Sequence, residues 1–120
     1  MQLPETNYHD LEGYFTWMGE DGIARTLVKE NAEITISEAK INSQVVNNLA
    51  EGNYPLIVDT RKIKSITKEA REYFTLKNRE TTITSIGIIV GSALSRMVAN
   101  FFLGVSKPRV PVRIFNSEKS

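Results

Sequence analysis

Residues Leu56 to Arg71 read LIVDTRKIKSITKEAR. Three apolar residues run without alternation into Asp59, which suggests a strand covered on both faces. A basic stretch follows. Thr67 then serves as N-cap for a helix through about Leu76. Glu69 lies in its first turn, where the helix dipole favours an acid. Ala70, Tyr73 and Phe74 form its inner face. A strand end followed by a loop and a helix start is where a doubly wound sheet presents ligands and partners.

Reading outward from this stretch gives the rest of the fold. Ile83 to Val90 is a second apolar run, again expected to be covered on both faces, with Gly87 as a close-packed position. Ser92 can cap the next helix, in which Leu94, Met97, Val98, Phe101 and Phe102 form an apolar stripe up to a stop at Gly104. Lys107-Pro108-Arg109 is a turn. Val110 to Phe115 is a last strand, and Pro111 places it toward a sheet edge.

Upstream, Tyr14 to Met18 and Ile23 to Val28 flank Gly19-Glu20-Asp21-Gly22, a hairpin signal. A short extended piece around Ala32 to Ile34 follows. Thr35 and Glu38 form a capping box that opens a helix. Ile41, Val45 and Leu49, with Val46 beside them, give it one stripe, and Gly52 ends it. The order ββαβαβαβ implies an α/β fold with a mixed, mostly parallel sheet, an N-terminal antiparallel hairpin and helices packed on the sheet.

The chain has 120 residues, enough for one domain with one core, and the reading keeps residues 1–120 as a single unit. Cysteine is absent, which excludes a disulfide scaffold and a thiolate nucleophile and fits a reducing cytosol. The amino terminus has no basic n-region or apolar h-region, and no apolar run is long enough to span a membrane. A cytoplasmic protein is expected. Net charge is only +1, which gives no global pull toward nucleic acid. The charges are nevertheless unevenly placed. Residues 1–60 carry ten acids and three bases, and residues 61–120 carry four acids and twelve bases.

Three pieces, VDTRKIKSITKEARE (58–72), GSALSRMVANFF (91–102) and KPRVPVRIF (107–115), resemble STAS domains, the sulfate-transporter and anti-sigma-factor-antagonist family. The similarity covers most of the chain and is narrower toward small stand-alone SpoIIAA-like and SEC14-like members. It implies a STAS-like fold and a regulatory or protein-interaction role. Anti-sigma-factor antagonists carry an Asp-Ser-Ser-Gly-like motif at the start of the helix after the central strand, and a serine there is phosphorylated. That motif falls on Thr67-Lys68-Glu69-Ala70, and the acceptor position holds Lys68. Thr67 or Ser65 could accept a phosphate only if the register slips. Members of the subgroup also continue into a further helix, whereas this chain stops at 116–120. The sheet face such a helix would cover is expected to be open and to pair with a second copy, giving a homodimer.

The residues themselves point to binding rather than catalysis. Asp59 stands where doubly wound enzymes place an acid. No second acid or histidine accompanies it at a strand end, so pairing with Arg61 or Arg71, or with loop N–H groups, is the favoured reading. His9 is the only histidine. No Ser-His-Asp set can be built around it, and no glycine-rich phosphate loop, metal set or cofactor motif is present. Arg61, Lys62, Lys64, Lys68 and Arg71 lie within eleven residues against one acid, Glu69. Helix amino termini near Thr67 and Ser92 are expected to open on the same edge and add N–H donors. The candidate site is therefore Arg61, Lys64, Ser65, Thr67, Lys68, Arg71 and Ser92, offered to an anionic ligand or a regulatory protein partner. The alternative is a small-molecule or lipid carrier of the SEC14-like type, its ligand held under the 93–103 helix.

Overall fold

Crossovers of one hand that always step the same way across a sheet lay all their helices on one side of it. This chain does so. The computed structural model describes residues 1–74, 82–104 and 110–116, with the side chains of 74 and 101–104 left aside. Its elements are β1 (His9–Asp10), β2 (Tyr14–Met18), β3 (Ala24–Val28), β4 (Glu33–Ile34), α1 (Ile36–Val46), β5 (Tyr54–Asp59), β6 (Ser65–Ile66), α2 (Lys68–Phe74), β7 (Ile83–Ile89), α3 (Ala93–Gly104) and β8 (Val112–Phe115). Six strands form the main sheet in the order β1-β2-β3-β5-β7-β8. The β1–β2–β3 part is antiparallel, and β3, β5, β7 and β8 pair in parallel.

Register and alternation divide the sheet's side chains between two faces. Tyr14, Thr16, Ala24, Thr26, Val28, Leu56, Val58, Ile86 and Ile88 point one way. All three described helices pack here. Ala39 of α1 and Ala70 of α2 join Tyr14 and Val28, Val46 of α1 joins Ala24 and Leu56, and Ala99 of α3 joins Ile88. The opposite face carries Phe15, Trp17, Arg25, Leu27, Ile57, Asp59, Gly87, Ile89, Arg113 and Phe115, and no described helix packs on it. The doubly wound reading is thus corrected, although Asp59 and Ile89, on the second face of β5 and β7, are buried as expected. The parallel strands advance in one direction only, so the sheet has no reversal point.

The hairpin forms as read. Gly22 takes φ +81°, a left-handed turn position, and Gly19 N–H donates to Ile23 O at 2.9 Å. Across the turn Arg25 grips Asp21 at 2.8 Å, and that hydrogen bond holds the Asp21 carboxyl down to about 2. β8's place at the edge and the close packing at Gly87 also hold as read. Trp17 is buried, β8 is the last strand, and a Cβ at Gly87 would lie 3.0 Å from the Phe115 ring.

Two helices bury part of their expected apolar stripe, Val46 in α1 and Val98 in α3, and leave one bulky residue of it exposed. In α1 the buried side chains are Ala39, Asn42, Ser43 and Val46, while Ile41 is 49% exposed. Small Ala39 and Ser43 let the helix approach the strands closely. The helix also ends at Val46, well before Gly52. Asn47 caps it by donating to Ser43 O at 2.8 Å and is tied to β7's entrance by accepting from Thr82 N–H at 2.8 Å. In α3 the buried residues are Ser95, Val98 and Ala99, and Met97 is 50% exposed. Ser95 sets that rotation, because its hydroxyl accepts from both Gly91 and Ser92 N–H at 2.9 Å. The expectations for Phe74, Phe101 and Phe102 and for the 107–109 turn lie outside the described residues.

A polar pair sits within the packed face. The Thr16 and Thr26 hydroxyls lie 2.9 Å apart, both fully buried, and Thr16 also donates to Arg25 O at 2.8 Å. Asn42 and Ser43 stand on α1 between Ala39, which packs at the Tyr14–Val28 level, and Val46, which packs at the Ala24 level. The Asn42 amide nitrogen has no hydrogen-bond partner there.

Candidate functional site

The end of β5 is pinned before it reaches solvent. Thr60 donates to Ile89 O from both its N–H (3.0 Å) and its hydroxyl (2.8 Å). Asp59, 3% exposed, meets Arg61 in a two-pronged contact: Nη2 to Oδ2 at 2.7 Å and Nε to Oδ1 at 3.0 Å. The Arg61 N–H adds a bond to Oδ1 at 3.1 Å, and the Met1 ammonium lies 3.6 Å from Oδ2. Burial pushes the Asp59 carboxyl up, but the Arg61 hydrogen bonds and the charges of Arg61 and Met1 outweigh it and hold the carboxyl below its ordinary value. The Arg61 stem lies against Gly91, where a Cβ would come within 2.9 Å of Cγ. The favoured reading of Asp59 as a paired, structural carboxylate therefore describes its geometry.

The stretch read as a basic loop is partly a strand. β6 pairs in parallel with β4, and Thr67 N–H donates to Ile34 O at 2.9 Å. Ser65 and Thr67 are exposed, and Thr67 caps α2 by accepting from Ala70 N–H at 3.2 Å. Lys64 pairs with Glu33 at 3.7 Å and Lys68 with Glu72 at 3.9 Å, both in solvent. Arg71 is half-buried in α2. Ser92 caps α3 reciprocally with Ser95: its hydroxyl accepts from Ser95 N–H at 3.1 Å, and its own N–H is taken by the Ser95 hydroxyl. Arg61 and Ser92 stand together at the β5 and β7 ends. Thr67 and Lys68 start instead from the small β4–β6 sheet.

A crevice of about 300 Å³ opens on the helix-free face at the ends of β3 and β5. Phe15 and Leu27 line it, with Lys29, Glu30, Asp59, Arg61, Lys62 and Met1. Its walls are joined by Asn31, which takes φ +61° and donates to Lys62 O at 3.1 Å. Lys29 lies 4.6 Å over the Phe15 ring and pairs with Asp10 at 2.5 Å. Phe15, Leu27 and Lys29 escaped the sequence reading. The missing signal was that β3 and β5 are parallel neighbours, with Leu27 opposite Asp59. Under the described part of α3, where a carrier's ligand is expected, Val90 and Ala99 pack against Ile88. Among the described residues no group of three or more His, Cys, Asp or Glu could hold a metal ion, and no helix is long and apolar enough to cross a membrane.

Comparison with known proteins gives the fold a context. An uncharacterised protein of the DUF3478 family from Shewanella loihica PV-4, described as having a SpoIIAA-like fold, matches with a TM-score of 0.54 at 11% identity. The match covers 99% of this chain and 94% of that one. That likeness shows the fold, in agreement with the STAS-like reading. A protein of unknown function from Arthrobacter sp. FB24 is 29% identical over 87% of this chain and 85% of that one, with a TM-score of 0.35. No curated protein matches. The family model for the domain of unknown function DUF7793 matches residues 16–120, so the chain belongs to that family.

Proposed function

We propose that the protein is a non-catalytic interaction module of the STAS type, cytoplasmic and regulatory, that works as a homodimer paired through its helix-free sheet face. The observation that carries this reading is the placement of all three described helices on one face. The other face keeps Phe15, Leu27, Ile57 and Phe115 half-buried around buried Trp17 and Ile89. Apolar strand faces of this kind are ordinarily covered by a second layer.

Charge favours a second copy as that layer. Residues 8–30, which build the β1–β3 side, carry five acids and two bases, and β8 at the opposite edge carries the exposed Arg113 and no acid. A two-fold axis parallel to the strands sets the acidic side of each copy over the basic side of the other, and such pairing closes on itself. The engaged Asp59 carboxylate and Lys68 at the acceptor position both support a role without catalysis or a phosphoserine switch.

Sedimentation velocity at tens of micromolar tests the pairing. The expected particle is about 27 kDa, twice the 13.5 kDa chain. Ile57→Asp should give monomers. Arg113→Glu, an exposed change that leaves the core intact, should weaken the dimer. A wild-type monomer, or a mass that keeps growing with concentration, would refute it. A second reading, a small-molecule carrier, is favoured by the crevice alone, and native mass spectrometry of freshly purified protein would reveal its cargo as added mass.

A further inference from the structure

We infer that the crevice at the ends of β3 and β5 binds a small organic anion with an apolar body, of the medium-chain carboxylate kind. The inference rests on the second reading above and names the chemistry of its ligand.

The lining has two chemically distinct halves. Phe15 and Leu27, opposite each other across β2 and β3, supply an apolar floor. Lys29, Arg61, Lys62 and the Met1 ammonium supply four cations against two carboxylates, Glu30 and Asp59. Asp59 is already neutralised by the Arg61 guanidinium, so it repels an incoming anion little. Lys62 is exposed and has no carboxylate within ion-pair distance among the described residues. Lys29 is held over Phe15, at the border of the two halves, and its partner Asp10 is 62% exposed. A ligand carboxylate can replace Asp10 there at small cost, because exposed ion pairs contribute little. The volume lies at the low end for ligand sites, which fits a small molecule rather than a long lipid. The walls are built in advance: Asn31 joins the two loops by a backbone hydrogen bond in a left-handed conformation that few residues other than glycine adopt.

The test is an amide-shift titration of the full chain by ¹H–¹⁵N NMR with octanoate, octanol and inorganic phosphate as separate probes. Octanoate should shift the amides of Phe15, Leu27, Lys29, Arg61 and Lys62, and octanol and phosphate should not. Lys62→Ala should weaken octanoate about fivefold, as expected for loss of one partly exposed charge contact. Octanoate leaving these amides unmoved would overturn the inference. Octanol acting equally would overturn the anion, and phosphate acting equally would overturn the apolar body. Octanoate shifts that persist in Ile57→Asp show that the site stands apart from pairing. Octanoate shifts in a protein that purifies empty would uphold the ligand class while ending the carrier reading.

Discussion

Replacing Arg61 by Met should unmask what Asp59 does. The substitution keeps much of the side-chain stem over Gly91 and removes the guanidinium. Asp59, 3% exposed, is left with the Arg61 N–H and the Met1 ammonium. Removing one partner of a fully buried pair costs about 3–5 kcal/mol. Arg61 is 38% exposed in its side chain and two contacts survive, so about 2 kcal/mol is expected here. The same change made in an Asp59→Asn background should cost only about 0.5 kcal/mol, since no buried charge is stranded.

Urea unfolding followed by the fluorescence of buried Trp17 measures both arms of this cycle. Its pH dependence has a definite sign. Asp59's folded-state carboxyl lies below its ordinary value of 3.8, so the pair's contribution is complete above that value and is lost as pH falls through the lower one. The gap between wild type and Arg61→Met should therefore narrow on acidification from pH 6 to pH 3. Equal costs in both backgrounds, or a gap indifferent to pH, would show that Asp59 is not held in place as a charge.

Three further substitutions follow from single contacts. Ser95→Ala strands the Gly91 and Ser92 N–H groups and should cost about 2 kcal/mol in the same urea assay. Asn42→Leu removes a buried amide nitrogen that has no partner and should be neutral or stabilising by about 1 kcal/mol, read as a raised urea midpoint at constant slope. Gly22→Ala meets no atom within 4 Å, so its whole cost is that of a left-handed φ, about 1 kcal/mol of thermal or urea stability.

The strand–helix alternation was legible because Leu56 to Asp59, Thr67 and the 83–90 run each carry a local signal. The hairpin was legible from Asp21-Gly22 in the same way. The one-sided helix layer was not. A buried strand reads as an apolar run whether a helix or something else covers its second face, and only strand order decides which. Within the α1 and α3 stripes, the places of Ile41 and Met97 were misjudged for a related reason. Ile41 and Met97 are the bulky residues, but Ser43 and Ser95 are the ones the neighbouring backbone and strands require inside. At the site, the cations from Arg61 to Arg71 were visible as a cluster. Their partners Asp59, Glu33 and Glu72 lie two, thirty-one and four residues away, and the farthest could be assigned only after β4 had paired with β6.

The absence of native cysteine allows a direct test of the helix-free face. Ile57→Cys, on a central strand of that face, and Ser37→Cys, exposed on α1, can be treated with a short bismaleimide that spans the roughly 10 Å between packed sheets. Covalent dimers at Cys-substituted position 57 and none at position 37 are expected. Cross-linking at position 37 but not at position 57 would mean that the open sheet face is not where two copies meet.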